Sequence, residues 1–219
     1  MTDLQDLQID HLVIAAHRLE AGVDYINNTL SVRMQPGGVH TSMGTHNALL
    51  KLGERQYLEV IAPDPSVSNP NRPRWFGLDS LKSYSPPRLV TWVVRTPNIH
   101  NAVLSSRETI GRIESMSRGD YEWLISIPPD GSMPFHGIVP ALIEWQNESH
   151  PVEKLADSGC KLIQMEAHHQ LQERIFAVFE SLGIHGLLSV FPLTTDEQPY
   201  LDAYIETPGG LKNISGRIA

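Results

Sequence analysis

Glu59 and Glu144 are the residues whose type and setting first suggest chemistry. Each stands in an apolar, strand-like run, Tyr57-Leu58-Glu59-Val60-Ile61 and Ala141-Leu142-Ile143-Glu144-Trp145. A period of two puts Glu59 on the face of Tyr57 and Ile61, and Glu144 repeats the arrangement. Tyr204-Ile205-Glu206 offers a third instance. A carboxylate taken out of water needs a cation, hydrogen bonds or a metal. The alternative is a strand with one wet face that carries its glutamate into solvent. His11, in Ile9-Asp10-His11-Leu12-Val13, alternates with Ile9 and Val13. A neutral imidazole there is suited to ligate a divalent metal, with Asp10 or a backbone carbonyl fixing its tautomer; otherwise it is a hydrogen-bonded structural histidine. His40 and His46 bracket a glycine-containing turn, where they could line a pocket mouth, act as general acid or base, or be exposed. His136 lies just ahead of the Glu144 run, and the pair His168-His169 reads as surface.

Three strand–helix units must position these side chains, beginning near residues 8, 88 and 160. Gln8–Ala16 leads into Arg18–Leu30, where Leu19, Val23, Ile26 and Leu30 make one apolar stripe. Val32–Thr41, His46–Leu52 and Gln56–Ala62 follow as strands. Arg88–Arg95 leads through the cap Thr96-Pro97 into a helix carrying Ile99, Val103 and Ile110 and stopping at Gly111. Arg112–Ser117, Tyr121–Ile127 and Ile138–Trp145 are its strands. Lys161–Ala167 precedes a helix built on Leu171, Ile175, Val178, Phe179 and Leu182 and closed by Gly183. Leu187–Phe191 and Tyr200–Glu206 complete this shorter unit. The expectation is an α+β fold of two βαβββ modules, 1–86 and 87–150, plus a partial third βαβ-type module over 151–219. Pro63–Tyr84 and Asn147–Gly159 read as linkers.

The chain of 219 residues is long enough for a substantial core. A formal charge of −8 and the lack of any basic run argue against nucleic acid or an anionic membrane as partner. Cys160 is the single cysteine, which points to a reducing compartment, and with no signal-like leader or bilayer-spanning run the expectation is a cytoplasmic protein. Phosphate-binding glycine loops and the HExxH, CxxC and GxSxG motifs are missing, which removes the main support for nucleotide-binding, zincin and hydrolase readings.

With these runs in view, the sequence resembles the glyoxalase-like proteins of the vicinal-oxygen-chelate superfamily. Ile9-Asp10-His11-Leu12-Val13, Gly37-Gly38-Val39-His40, Gly44 to Leu52, Tyr57 to Pro63 and Pro140 to Trp145 carry the resemblance, over roughly residues 8–146. It implies paired βαβββ modules curled into a cupped mixed sheet around a metal. His11 and Glu59 are then the ligands from the first module and Glu144 from the second. Where the second module should supply its first-strand ligand the chain has Val90-Thr91-Trp92-Val93, without a histidine. Either His40, His46 or His136 completes the sphere, or the cavity binds no metal. Zn²⁺, Mn²⁺, Fe²⁺ or Ni²⁺ would suit such donors. The function implied is a metal-dependent lyase or isomerase of a small oxygenated metabolite, with Glu59 or Glu144 carrying the proton and His46 as a further acid–base group. The competing reading is a metal-free protein that binds or sequesters a small molecule, with Trp75, Trp92, Trp123 and Trp145 available to line a pocket. Edge strands of the incomplete third module, and the habit of the superfamily, suggest a homodimer.

Overall fold

The computed structural model describes residues 7–218. The first unit consists of β1 (Gln8–Ala15), α1 (Leu19–Leu30), β2 (Gln35–His40), β3 (Thr45–Gly53) and β4 (Gln56–Pro63). The second is β5 (Arg88–Arg95), α2 (Ile99–Ser105), β6 (Arg112–Arg118), β7 (Tyr121–Ile127) and β8 (Ala141–Trp145). The third is β9 (Lys161–His169), α3 (Gln172–Leu182), β10 (Ser189–Pro192), β11 (Tyr200–Thr207) and β12 (Gly210–Ser215).

The first two units merge into one eight-stranded sheet, ordered β2-β3-β4-β1-β5-β8-β7-β6. In each half the first strand pairs in parallel with the last, β1 with β4 and β5 with β8, and the halves meet where β1 and β5 run antiparallel. The sheet curls until its edges, β2 and β6, touch. Its concave face carries Val13, Ile61, Val93, Ile125 and Ile143, and its convex face carries Leu12, Ile14, Leu58, Trp92 and Val94.

The convex face is covered by helices and by the third unit. α1 lays Ile26 and Leu30 against it, and Gly22 permits the close approach, since a Cβ there would overlap the Val60 side chain. The smaller sheet, ordered β10-β9-β11-β12, turns Met165, Ala167, Leu201, Ala203 and Ile205 into the same core. Trp92 is the junction. It is fully buried, meets the ring of Phe179 from α3 edge-on at 6.0 Å and donates its indole N–H to the Ile138 carbonyl at 2.8 Å. The opposite face of this smaller sheet, bearing Glu166, His168, Asp202 and Tyr204, points away from the core.

Some elements depart from the sequence reading. α2 ends at Ser105 rather than running to Gly111. The Ser106 hydroxyl donates to the Glu108 carbonyl at 2.8 Å and turns the chain locally, a bond that competes with helix continuation. Its cap is Asn98, accepting from Asn101 N–H at 2.9 Å, not Thr96. β12 was not anticipated. The stretches read as linkers instead cover the cup, with Trp75, Phe76 and Leu78 buried from one and His150, Pro151 and Val152 from the other. Their composition is polar on average, but these few large side chains decide where they pack. Among the described residues no helix is long and apolar enough to cross a membrane.

Candidate functional site

The concave face of the large sheet gathers His11, His40, Asn47, Tyr57, Glu59 and Arg118 under a cover of aromatic rings. The arrangement starts from a β-bulge. Between Ile9 and His11 the β1–β5 register slips by one residue, and Asp10 is the extra residue. The slip allows adjacent side chains, which regular pleating would send to opposite faces, to meet: His11 Nδ1 lies 2.8 Å from Asp10 Oδ1.

Asp10 is fully buried, and three further nitrogens converge on it. Trp145 Nε1 donates to Oδ2 at 2.9 Å, His150 Nε2 lies 3.2 Å from the same oxygen, and Arg95 Nη1 stands 3.5 Å away. Burial by itself would raise the Asp10 pKa, but the hydrogen bonds from His11 and His150 outweigh it and hold the carboxyl well below the usual range. An ionised carboxylate only accepts, so His11 donates to Asp10 from Nδ1–H and turns Nε2 into the cup. That nitrogen faces Glu59 Oε2 at 3.8 Å.

Parallel pairing with β1 sets Tyr57 beside His11 and Glu59 beside Val13, so all four side chains share the concave face. The rings of Tyr57 and His11 stack at 4.5 Å. Burial, reinforced by the charges of Asp10 and Glu59, pushes the Tyr57 phenol well above its ordinary pKa, so it stays protonated. Asn47 on β3 donates Nδ2–H to Glu59 Oε1 at 2.5 Å, and its own Oδ1 accepts from Gly38 N–H at 2.7 Å. The Gly37-Gly38 pair has its explanation here: a Cβ on Gly37 would overlap the Asn47 carboxamide, and one on Gly38 would crowd the Arg118 stem.

Arg118, at the end of β6, reaches across the closed sheet edges. Its Nη1 lies 3.1 Å from His40 Nε2 and 3.1 Å from Asn47 Oδ1. Because a guanidinium only donates, His40 accepts at Nε2 and directs Nδ1–H to Thr45 Oγ1 at 3.2 Å. Burial, with the Arg118 guanidinium beside it, pushes the His40 pKa down to about 3, so it is neutral. Trp75, Phe76, Trp123, Trp145, Ile125, Ile143 and Pro151 wall the remainder and leave about 30 Å³ of free space, room for one or two waters.

Residues 9–183 match the family described as a glyoxalase-like domain. The chain belongs to that family. Its fold is also found in a hypothetical protein from Staphylococcus aureus, at 14% identity and a TM-score of 0.56, covering 90% of this chain and 81% of the other. A methylmalonyl-CoA epimerase of Streptomyces coelicolor, crystallised with 2-nitronate-propionyl-CoA, is 18% identical over 64% of this chain and 98% of its own, with a TM-score of 0.43. For a methylmalonyl-CoA epimerase from Mycobacterium tuberculosis the figures are 17%, 63%, 87% and 0.40. No curated protein sequence matches the chain.

The glyoxalase-like cup thus unites His11, Glu59 and His40 of the residues singled out from sequence, and leaves out Glu144, His46, His136 and Glu206. Glu144 faces the convex side, because Ile143 and Trp145 take the inward positions of β8. Its Oε2 accepts from the Ile99 N–H at 2.7 Å and so caps α2, while Oε1 accepts from Gln146 at 3.0 Å. Strand alternation likewise excludes His46: Asn47 fills the inward position, and His46 is on the other face, near Asp64. His136 is exposed, close to His169 rather than to the cup. Glu206 is exposed. Sequence reading passed over Asn47, Arg118 and His150, which lack any local signature and acquire meaning only when the sheet closes.

A divalent ion does not fit this cup. The first module contributes His11 Nε2 and Glu59 Oε2, but the residue across from His11 on β5 is Val93, and β8 presents Ile143. Both ring nitrogens of His40 are engaged, and the Arg118 cation stands where further donors would be needed. Two donors beside a fixed positive charge fall short of the converging set that holds a metal. The correction to Glu144 is directly testable. Glu144→Ala should cost about 1 kcal/mol through loss of the helix cap, read as a lower urea midpoint, while leaving ligand binding in the cup unchanged.

Proposed function

We propose that the cup binds a small oxygenated carboxylate and moves a proton on it, in a lyase or isomerase reaction that uses side-chain acid–base groups. The observation that carries this reading is the buried Asp10–His11 pair, whose imidazole Nε2 opposes Glu59 at 3.8 Å beside the Arg118 guanidinium. The two contacts named for Arg118 both use Nη1, leaving its other N–H groups to grip an anion, a match that favours planar carboxylates. A proton on a carbon next to a carbonyl, presented to Glu59 and His11, can leave to one of them and be returned by that same group or, after transfer across the 3.8 Å between them, by the other. Arg118 and the Asn47 amide would offset the negative charge that develops. Aromatic walls keep water away and strengthen these interactions. Because so little space is free, a substrate must displace part of the cover, and Phe76, held at φ 56° in the left-handed region, belongs to that segment.

The test is exchange of substrate carbon-bound hydrogen for deuterium in heavy water, followed by proton NMR across a panel of small 2-oxo and 2-hydroxy carboxylates. Arg118→Ala should weaken binding of the active carboxylate by about tenfold to a hundredfold, in keeping with loss of a charge-assisted pair. Equal affinity in the variant would remove Arg118 from the anion site. The tightness of the covered cavity also supports a second reading, a protein that sequesters its ligand. Saturable carboxylate binding with no exchange or conversion in the whole panel would favour it.

A further inference from the structure

We infer that Glu166, His168 and Asp202, on the outward face of the small sheet, form a binding site for a first-row divalent cation such as Zn²⁺ or Mn²⁺. The register of β9 and β11 places Asp202 directly opposite Glu166, and Tyr200 directly opposite His168. Like charges directly opposite one another destabilise a sheet unless something between them is positive. The three ligand atoms lie within 4.8 Å of one another: His168 Nε2 is 3.7 Å from Glu166 Oε2 and 3.8 Å from Asp202 Oδ2. Those separations are too long for hydrogen bonds. They are close to the spacing of about 3.4 Å between ligand atoms that each sit about 2.1 Å from a tetrahedral ion.

Unmet bonding capacity points the same way. His168 Nε2 and Asp202 Oδ1 are both buried, and neither has a hydrogen-bond partner among the described residues. A buried polar atom left unpaired costs about 1–3 kcal/mol, and here two such atoms belong to one cluster. The side chains are held in place rather than free to swing into water. The His168 ring is stacked between Tyr200 at 4.4 Å and Phe191 at 5.3 Å. Glu166 is fixed by Gln164, which donates to Oε1 at 2.8 Å, and by the Tyr204 hydroxyl, which donates to Oε2 at 3.2 Å. One imidazole and two carboxylates suit borderline and hard first-row ions, and three protein ligands leave coordination positions for water or a ligand oxygen. The site faces away from the cup and stands independently of the reaction proposed there.

Titration calorimetry of the metal-stripped full chain with Zn²⁺, and electron paramagnetic resonance with Mn²⁺, test the site. One equivalent of at least one of these ions should bind and raise the melting temperature. His168→Ala and Asp202→Asn should each weaken that binding by at least about tenfold, whereas His11→Ala and Glu59→Gln should leave it intact. Should His168→Ala lose its fold by circular dichroism, Asp202→Asn, which keeps the shape of the side chain, decides alone. Failure of the wild type to take up either ion at millimolar concentration would overturn the assignment. So would uptake that Asp202→Asn leaves unchanged, or uptake that disappears with the cup variants instead.

Discussion

Replacement of Asp10 by alanine is expected to destabilise the protein by about 3–5 kcal/mol, the cost of removing one partner from a buried ionic network. The substitution takes away the acceptor shared by His11, Trp145 and His150 and leaves the nearby Arg95 cation without its closest buried counter-charge. Asp10 has no exposed surface, so bulk solvent does not reach these donors in the folded protein. Urea denaturation at neutral pH measures the loss, and a shift below about 1 kcal/mol would show that these donors find other partners. The same network sets a pH dependence. The folded-state pKa of Asp10 lies below its ordinary value of 3.8, so the folded state binds its proton less readily than the unfolded chain does. Its stabilising contribution is therefore complete above that value and is lost as pH falls from it towards the lowered folded pKa. Wild-type stability should decline through this acid window, and the part due to Asp10 should be missing in Asp10→Asn.

Which features were legible in the sequence follows from how local their signals are. The strand–helix–strand repeat was readable because each amphipathic element writes its own periodicity, as α1 does with Ile26 and Leu30. His11 and Glu59 were readable because a polar residue on an apolar strand is conspicuous. Glu144 looked equally conspicuous, yet it serves as a helix cap. Both glutamates break an apolar run, but only the hydrogen-bond register of β8, with Ile143 and Trp145 turned inward, tells which face each one takes. Arg118 and His40 are 78 positions apart and meet because the edges of the sheet close on one another, an event no local window reports. His168 read as surface for the opposite reason. Its sheet does leave one face open, but on that face His168 lies near Asp202, from a strand more than thirty residues away.

Glu59→Gln is expected to lower the rate of proton exchange on a bound substrate by about 10²–10⁴-fold, the usual contribution of a positioned acid–base group, while leaving affinity nearly unchanged. The side-chain oxygen that accepts from Asn47 is retained in glutamine, and Arg118 is untouched, so the cup keeps its shape and its anion anchor. What is lost is a group able to take up and return a proton opposite His11 Nε2. His11→Ala should remove the other half of the pair and reduce exchange by a similar factor. It should also release the Tyr57 ring that stacks on the imidazole and so change affinity as well as rate. Glu144→Gln provides the matched control: it makes the same chemical change at the glutamate on the convex face and should leave exchange at the wild-type rate. Unimpaired exchange in Glu59→Gln would mean that Glu59 only orients Asn47, and the proton would then have to travel through His11 alone. Loss of binding together with exchange would instead make Glu59 a contact of the ligand itself. The split between rate and affinity therefore decides whether this carboxylate acts on the substrate or merely holds the cup in shape.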